Sequence, residues 1–172
     1  MTNKPIYTLL AALSIDGKIA REIKHFSDWT SKEDKSFLHT ILDTSDVILI
    51  GNTSYKLAIE PLSKRNCIVL SRSVTQYKKI HDKLILCNPT VESLPRLIKQ
   101  LGYKNVCILG GTQTYSYCLI NNLIDEMYIT IEPIVFGNGL SLFDKNDECN
   151  WKFQNVKLLN NTGTILLHYK KV

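Results

Sequence analysis

The sequence predicts a single α/β domain built on a mainly parallel sheet. Short apolar runs of strand type alternate with helix-compatible segments through most of the 172 residues. One further strand and a closing hairpin follow, and no low-complexity linker or internal repeat interrupts the chain. Such alternation is typical of a parallel sheet with helices on both faces, and the hairpin predicts an antiparallel C-terminal edge. We therefore expect one domain, residues 1–172, around a central sheet of about eight strands.

Six short apolar runs are predicted to form the strands of this sheet. Each is bounded by glycine, proline or polar residues, as buried strands commonly are. In chain order they cover residues 6–13, 46–50, 66–70, 84–87, 106–109 and 127–132. Residues 151–159 and 164–169 are then predicted to pair as a hairpin around the turn sequence Asn160-Asn161-Thr162-Gly163.

Helices are predicted between the strands. The first begins after Thr30 and Ser31, which precede Glu33 and Asp34 at the spacing of a capping box. Its apolar residues recur on one face, as in a helix that packs on a sheet. The later helices are a short one after residue 52, a third over residues 90–101 and a fourth over residues 112–123.

Composition excludes several classes of function. The net charge is +5, but lysine and arginine are spread along the chain, which favours an anionic small molecule over nucleic acid as the partner. Five cysteines without a C-x-x-C pair indicate reduced thiols in a cytoplasmic protein. The four histidines have no ligand spacing, so we expect no metal site. No apolar segment is long enough to span a membrane.

Four polar or glycine-rich segments follow predicted strands: residues 13–18, 51–54, 71–73 and 110–115. Ligands of open parallel sheets bind at the carboxyl ends of the strands, so we expect these segments to meet in one cleft. In the second and fourth segments a glycine turn leads into a helix, whose free N–H groups and positive dipole end suit phosphate. The third, Ser71-Arg72-Ser73, offers hydroxyls and a guanidinium to a phosphate monoester.

Each of these features also has a purely structural explanation. A glycine pair between strand and helix is commonly a plain connection, and residues 71–73 could form an ordinary polar loop. Asp16 and Lys18 are either a loop pair over the cleft or the polar tip of a turn. Asp34 is either a carboxylate that faces a ligand or a negative charge that stabilises the start of a helix.

Several of these segments resemble the dihydrofolate reductase superfamily. Residues 7–20 look like its first strand and mobile loop, and residues 51–55, 69–73 and 109–115 fall where that superfamily binds NADPH. The sequence Ser-Ile-Asp-Gly-Lys-Ile-Ala at residues 14–20 is closest to one branch. This branch is the reductase domain of the bifunctional riboflavin enzyme, the RibD C-terminal type, with its standalone relatives. Similar blocks at residues 125–133 and 136–143 extend the resemblance, in order, over residues 6–143.

The resemblance implies a dihydrofolate reductase-like fold with NADPH as the cofactor. Two residues would flank the nicotinamide, two helix starts would meet the pyrophosphate, and a Ser-Arg pair would hold the 2′-phosphate. In chain order the implied cofactor residues are Ala12, Ile19, Gly51, Thr53, Ser54, Ser71, Arg72, Gly110, Gly111, Thr112, Gln113 and Thr114. The resemblance also implies a cis peptide between the two adjacent glycines. Finally, it implies a homodimer that pairs through residues 127–136 and the C-terminal hairpin.

The acceptor is less well defined by this resemblance. The riboflavin-type branch implies reduction of 5-amino-6-(5-phosphoribosylamino)uracil, with Asp16 and Lys18 at the hydride-transfer site and Lys64 or Arg65 near the phosphate. That branch usually has an acid before the glycine pair, where this chain has Leu109. Asp34, five residues after a tryptophan, is similar to the carboxylate with which true dihydrofolate reductases bind pteridines. A pteridine reductase, or an NADP-binding module without turnover, therefore remains an alternative.

Overall fold

The computed structural model describes residues 4–25, 27–145 and 148–172. The elements before the middle of the chain are β1 (Ile6–Ser14), β2 (Lys18–Ala20), α1 (Lys32–Thr44), β3 (Val47–Gly51), α2 (Asn52–Leu57), α3 (Ile59–Leu62), β4 (Cys67–Leu70), β5 (Tyr77–His81) and β6 (Leu84–Cys87). Those that follow are α4 (Leu94–Gln100), β7 (Asn105–Ile108), α5 (Thr112–Ile120), β8 (Glu126–Glu132), β9 (Leu140–Ser141), β10 (Trp151–Leu158) and β11 (Ile165–Lys171).

Nine strands form one sheet in the order β10-β11-β8-β1-β7-β3-β4-β6-β5. The strands from β8 to β6 run parallel to one another, whereas β11, β10 and β5 pair antiparallel with their neighbours. This confirms the predicted mainly parallel sheet and its antiparallel C-terminal hairpin. Two further short strands, β2 and β9, pair with each other beside the sheet.

Helices cover both faces of the central strands. α4 and α5 pack on one face, where Leu97, Ile98 and Cys118 join a buried cluster with Leu9 and Ile108. α1, α2 and α3 lie over the other face, where a second cluster is buried. Because the central strands are covered on both sides, they read as continuous apolar runs rather than alternating ones.

The start of α1 follows the predicted capping pattern. Ser31 is the N-cap residue, and its hydroxyl oxygen accepts a hydrogen bond from the backbone N–H of Asp34 at 3.2 Å. Glu33 and Asp34 lie in the first turn, where negative charge complements the helix dipole. This cap fixes where Asp34 lies relative to the sheet.

Two helices are shorter than predicted. α4 begins at Leu94 rather than Thr90, because the Asn88 side chain accepts hydrogen bonds from the backbone N–H and hydroxyl of Thr90 and holds a turn there. α5 ends at Ile120 rather than residue 123, and Asn122 adopts a left-handed conformation just beyond it, with φ of 58°. Apolar periodicity alone therefore predicts helices that are too long, because it does not include the side-chain hydrogen bonds and backbone conformations that limit them.

The edge strand β5 was not predicted. All five of its residues are exposed, and two of them are lysines. Charged residues on an edge strand hinder pairing with other chains, but they also remove the apolar alternation by which strands are recognised. Within the described residues, no helix is long and apolar enough to cross a bilayer. The peptide bond between Gly110 and Gly111 is cis, as the resemblance implies.

Gly110 lies in a position that only glycine can occupy. Its φ is +85°, and a Cβ placed there would lie 2.5 Å from Cε2 of Tyr115. The Tyr115 ring cannot easily move aside, because its hydroxyl donates a 2.7 Å hydrogen bond to the carbonyl oxygen of Leu10 in the buried interior. Gly102 has a similar φ of +75°, but nothing lies within 4 Å of its Cβ position.

We therefore expect Gly110→Ala to destabilise the protein more than Gly102→Ala. Gly102→Ala, the control, adds only the strain of an alanine in a left-handed conformation, which costs about 1–2 kcal/mol. Gly110→Ala adds the cost of overpacking, roughly 1–3 kcal/mol more. Urea denaturation of the two variants and the unmutated protein measures both losses of unfolding free energy. Equal losses would contradict the close contact with Tyr115.

Candidate functional site

The carboxyl ends of β3 and β7 meet at three glycines. The backbone N–H of Gly51 donates a 2.7 Å hydrogen bond to the carbonyl oxygen of Gly110. A Cβ on Gly51 would lie 2.8 Å from Oγ1 of Thr114, and one on Gly111 would lie 3.2 Å from Oγ of Ser54. The structure therefore brings the first turns of α2 and α5 together at one point, as the sequence predicted for these residues.

The first turns of these two helices are free of side-chain caps. Gly51 and Gly111 are the N-cap residues, and neither can offer a side-chain oxygen to the first-turn N–H groups. Thr53 and Gln113, in the first turns, have exposed side chains. Backbone N–H groups without a cap, at the positive end of the helix dipole, are suited to bind the oxygens of a phosphate.

Ser71 and Arg72 lie one strand further along the same edge. They follow β4, whose last residue pairs with Gly51 in the parallel register. The Ser71 hydroxyl lies 2.8 Å from that of Ser73, and Arg72 is exposed. Lys64 and Arg65, by contrast, precede β4 and lie at the opposite end of that strand, where Arg65 pairs with Asp43 at 2.6 Å. The structure therefore does not bring Lys64 and Arg65 together with Ser71 and Arg72, and their role toward a substrate phosphate stays a prediction.

Asp16 anchors the loop after β1. Its two carboxylate oxygens accept hydrogen bonds from the backbone N–H groups of Phe136, at 3.0 Å, and Gly137, at 2.8 Å. The hydrogen bond from Phe136 contributes most to lowering the pKa of Asp16 to about 2. The carboxylate is thus ionised at neutral pH and engaged as an acceptor, which suits a role in fixing the loop.

Lys18 and Thr112 are linked through Ser141. Lys18 pairs with Ser141 between β2 and β9, and its Nζ lies 3.4 Å from the Ser141 hydroxyl oxygen. The Thr112 hydroxyl donates a 2.6 Å hydrogen bond to the Ser141 carbonyl oxygen. The short strand β9 therefore joins the loop that carries Asp16 and Lys18 to the start of α5.

Asp34 faces a group of polar side chains on the sheet face covered by α1. Ala12 of β1 lies opposite Thr130 of β8 in the parallel register. Thr130 is fully buried, and its hydroxyl has no hydrogen-bond partner of good geometry among the described residues. Burial is the main cause that raises the pKa of Asp34, while the hydroxyls of Thr130 and Thr30 favour its ionised form.

Ile19 lies apart from this polar group. It belongs to β2 and packs against the buried cluster on the face covered by α4 and α5. Ala12 lies near the carboxyl end of β1, whereas Ile19 lies on β2, which follows it. Trp29, just before α1, packs edge-on against Phe136 at 4.8 Å, and its indole N–H is buried without a partner among the described residues.

Sequence reasoning did not select Thr30, Thr130, Glu132 or Ser141. A signal for two of them was present, because β8 alternates polar or hydroxyl-bearing residues at 126, 128, 130 and 132 with Met127, Ile129 and Ile131. A period of two in a strand indicates one apolar face and one polar face. Such a polar face in the middle of a covered sheet marks positions where buried polar groups need partners.

The sequence profile of the RibD C-terminal domain matches residues 5–165. The chain belongs to the RibD C-terminal domain family. This family is the reductase domain of RibD, the riboflavin biosynthesis protein, so the chain belongs to a riboflavin-pathway reductase family. The resemblance found in the sequence is confirmed at this level.

Three similar proteins illustrate the relationship. The uncharacterized protein YwjB of Bacillus subtilis is 26% identical over 94% of this chain and 95% of its own length. Riboflavin biosynthesis protein RibD of Aquifex aeolicus is 23% identical over 98% of this chain, which spans 58% of that relative. The crystal structure of the diaminohydroxyphosphoribosylaminopyrimidine deaminase/5-amino-6-(5-phosphoribosylamino)uracil reductase of Thermotoga maritima superposes with a TM-score of 0.74. The two share 18% identity over 98% of this chain and 57% of that one.

Proposed function

We propose that this chain is an NADPH-dependent reductase whose substrate carries a nitrogen heterocycle that Asp34 binds. The observation that carries the proposal is the partly buried Asp34 carboxyl, whose pKa burial raises, beside the buried hydroxyls of Thr30 and Thr130. Membership of a reductase family supports the class of reaction.

The residues at the strand ends fit a dinucleotide. The glycine contacts leave no Cβ between the two helix starts, so the first-turn groups of α2 and α5 can approach a pyrophosphate. Ser71 and Arg72 would hold the 2′-phosphate that distinguishes NADPH, while Ala12 and Ile19 would lie beside the nicotinamide. NADPH, when bound, supplies the hydride.

We expect Arg72→Ala to weaken NADPH binding by about tenfold to a hundredfold, since a hydrogen bond to a charged group contributes roughly 1.5–3 kcal/mol. NADH, which lacks the 2′-phosphate, should bind both proteins equally. Arg96→Ala removes the same charge from an exposed position on α4 and is the matched control. Titration calorimetry measures all the affinities. Equal affinity of the unmutated protein for NADPH and NADH would contradict the proposed role of Arg72.

Asp34 defines the edge of the substrate heterocycle that this site can recognise, because a carboxylate accepts two parallel N–H bonds. Adjacent N–H donors of this kind occur where a ring N–H lies next to an exocyclic amino group, as in 6-aminouracils and 2-aminopteridines. The raised pKa of Asp34 also favours the protonated carboxyl, which could supply the proton that reduction of the substrate requires.

Two acceptors meet these requirements to different degrees. Family membership supports a ribosylaminopyrimidine phosphate, such as that of riboflavin synthesis, as the first candidate. A pteridine such as dihydrofolate is the second candidate, because the partly buried carboxyl of Asp34 could bind its ring. The residue before the glycine pair is Leu109, which has no carboxyl to contact a ribosylaminopyrimidine. Lys18 lies at the exposed loop, where it could meet either substrate's anionic group.

We expect Asp34→Asn to lower turnover of the accepted heterocycle by more than tenfold, a change of about 1.4 kcal/mol or more in the barrier. Asp28→Asn, on an exposed residue of the preceding segment, should leave turnover unchanged. NADPH oxidation is followed with the ribosylaminopyrimidine phosphate and with dihydrofolate as acceptors. The acceptor that is reduced identifies the candidate. NADPH binding without oxidation by either acceptor would instead support a module without turnover.

We further propose that two copies of the chain pair through the C-terminal hairpin. Phe153, Val156 and Leu158 of the edge strand β10 are each more than half exposed, at 53%, 57% and 62%. They share one face with Leu167 and Tyr169 of β11. An exposed apolar strip on an open sheet edge is suited to bind a second copy of the chain. Pairing would bury the apolar side chains and give hydrogen-bond partners to the free backbone groups of the edge strand.

We expect sedimentation of the unmutated protein to show a dimer at micromolar concentration and Val156→Lys to shift it to the monomer. Asn155→Lys adds the same charge to the opposite face of β10 and should leave the dimer intact. The lysine at position 156 would bury an unpaired charge in the interface, which is strongly unfavourable. A monomeric unmutated protein would refute this arrangement.

A further inference from the structure

We propose that Glu132 is a positioning residue of the acceptor site, which holds the first turn of α1, and with it Asp34, against β8 and the turn of the C-terminal hairpin. The inference rests on the proposed function of Asp34 as the group that binds the acceptor. It assigns a role to a buried carboxyl that the proposed chemistry does not itself use.

Glu132 is the last residue of β8 and is only 4% exposed. One carboxylate oxygen accepts a 2.7 Å hydrogen bond from the backbone N–H of Ser31, and the other accepts a 2.7 Å bond from the hydroxyl of Thr164. Ser31 in turn caps α1 by accepting the N–H of Asp34. Two hydrogen bonds therefore connect Glu132 to the backbone of Asp34. A buried carboxylate is costly unless its oxygens are satisfied, and here both are.

The same carboxylate reaches the hairpin between β10 and β11. The Thr164 hydroxyl accepts a 2.9 Å hydrogen bond from the Asn160 side-chain amide, which also donates to a carboxylate oxygen of Glu33 at 3.1 Å. The Asn160 side-chain oxygen accepts the backbone N–H groups of Thr162 and Thr164, which closes the turn. The turn is thus joined to the first turn of α1 at two points, through Glu132 and through Glu33. Displacement of the turn would move the helix that carries Asp34.

Glu132 also contributes charge to the surroundings of Asp34. The groups that face Asp34 are Thr30 before α1, Thr130 and Glu132 on β8, Lys35 on α1 and Tyr115 on α5. Burial is the largest cause that raises the pKa of Asp34, and the negative charge of Glu132 raises it further. Glu132→Gln keeps an oxygen for Ser31 but removes that charge, so the pKa of Asp34 should fall. Whichever protonation state turnover needs, the pH limb set by Asp34 should then move to lower pH.

Three variants test the inference. Glu132→Gln should move the Asp34 limb of the pH profile of kcat/KM to lower pH. Thr164→Val, which removes the hydroxyl, should raise KM for the acceptor by about tenfold with little change in NADPH affinity. Thr164→Ser keeps the hydroxyl and should behave as the unmutated protein does. Thermal unfolding of each variant checks that the fold is retained, and a role in stability alone would not shift the pH limb.

Carbon-13 NMR titration of the Asp34 carboxyl in the free protein, assigned with Asp34→Asn, gives a readout that does not depend on turnover. If Glu132→Gln leaves the Asp34 midpoint unchanged and Thr164→Val leaves KM unchanged, while Asp34→Asn still impairs turnover, the positioning role is overturned and the proposed function stands. If Asp34→Asn leaves turnover unchanged, the proposed function fails, and with it the connection of Glu132 to the acceptor. A shifted midpoint in that case would show only a structural link.

Discussion

The close contact between the backbones of β3 and β7 is the constraint on which the site depends. Gly51 donates a hydrogen bond to Gly110 at 2.7 Å, and a Cβ on either glycine would collide with Thr114 or with the Tyr115 ring. Because no side chain separates the two strand ends, α2 and α5 begin at nearly the same point. Any larger residue would push the helices apart and separate their first-turn N–H groups. The convergence of the two helix starts is therefore a consequence of missing side chains as much as of present ones.

The acceptor side is built by the opposite means, from buried polar side chains. Thr130 and Glu132 point from β8 towards α1, and each carries oxygen atoms into a region closed to solvent. Glu132 is satisfied by Ser31 and Thr164, whereas the Thr130 hydroxyl lacks a good partner among the described residues. Glu132 can therefore stabilise the framework, whereas the Thr130 hydroxyl acts on the neighbouring Asp34 carboxyl, whose ionised form it favours.

The sequence predicts those parts of the molecule whose signals are local. Apolar runs such as β3, the capping residues around Ser31 and the hairpin turn at residues 160–163 each specify their own geometry. β5 was not predicted because its exposed residues, two of them lysines, lack the apolar alternation of a strand. The start of α4 was predicted too early because the Asn88 side chain holds a turn at Thr90. Thr130 and Glu132 could not be assigned to the site because their roles depend on α1 and on a hairpin turn, which lie distant in the sequence.

The surroundings of Asp16 lower the pKa of its carboxyl and those of Asp34 raise it, and we infer different roles for the two carboxyls from this difference. Hydrogen bonds from Phe136 and Gly137 hold the pKa of Asp16 at about 2, so it remains an anion that fixes the loop. Burial raises the pKa of Asp34, which favours its protonated form more than in a solvated aspartate. Both aspartates were candidates for catalysis in the sequence, Asp16 at the hydride-transfer site and Asp34 for a pteridine, but neither burial nor backbone contacts can be read there. Family membership indicates a reductase family, whereas the proposed choice of acceptor depends on a few such environments, and Asp34 is the one of these two carboxyls whose pKa burial raises.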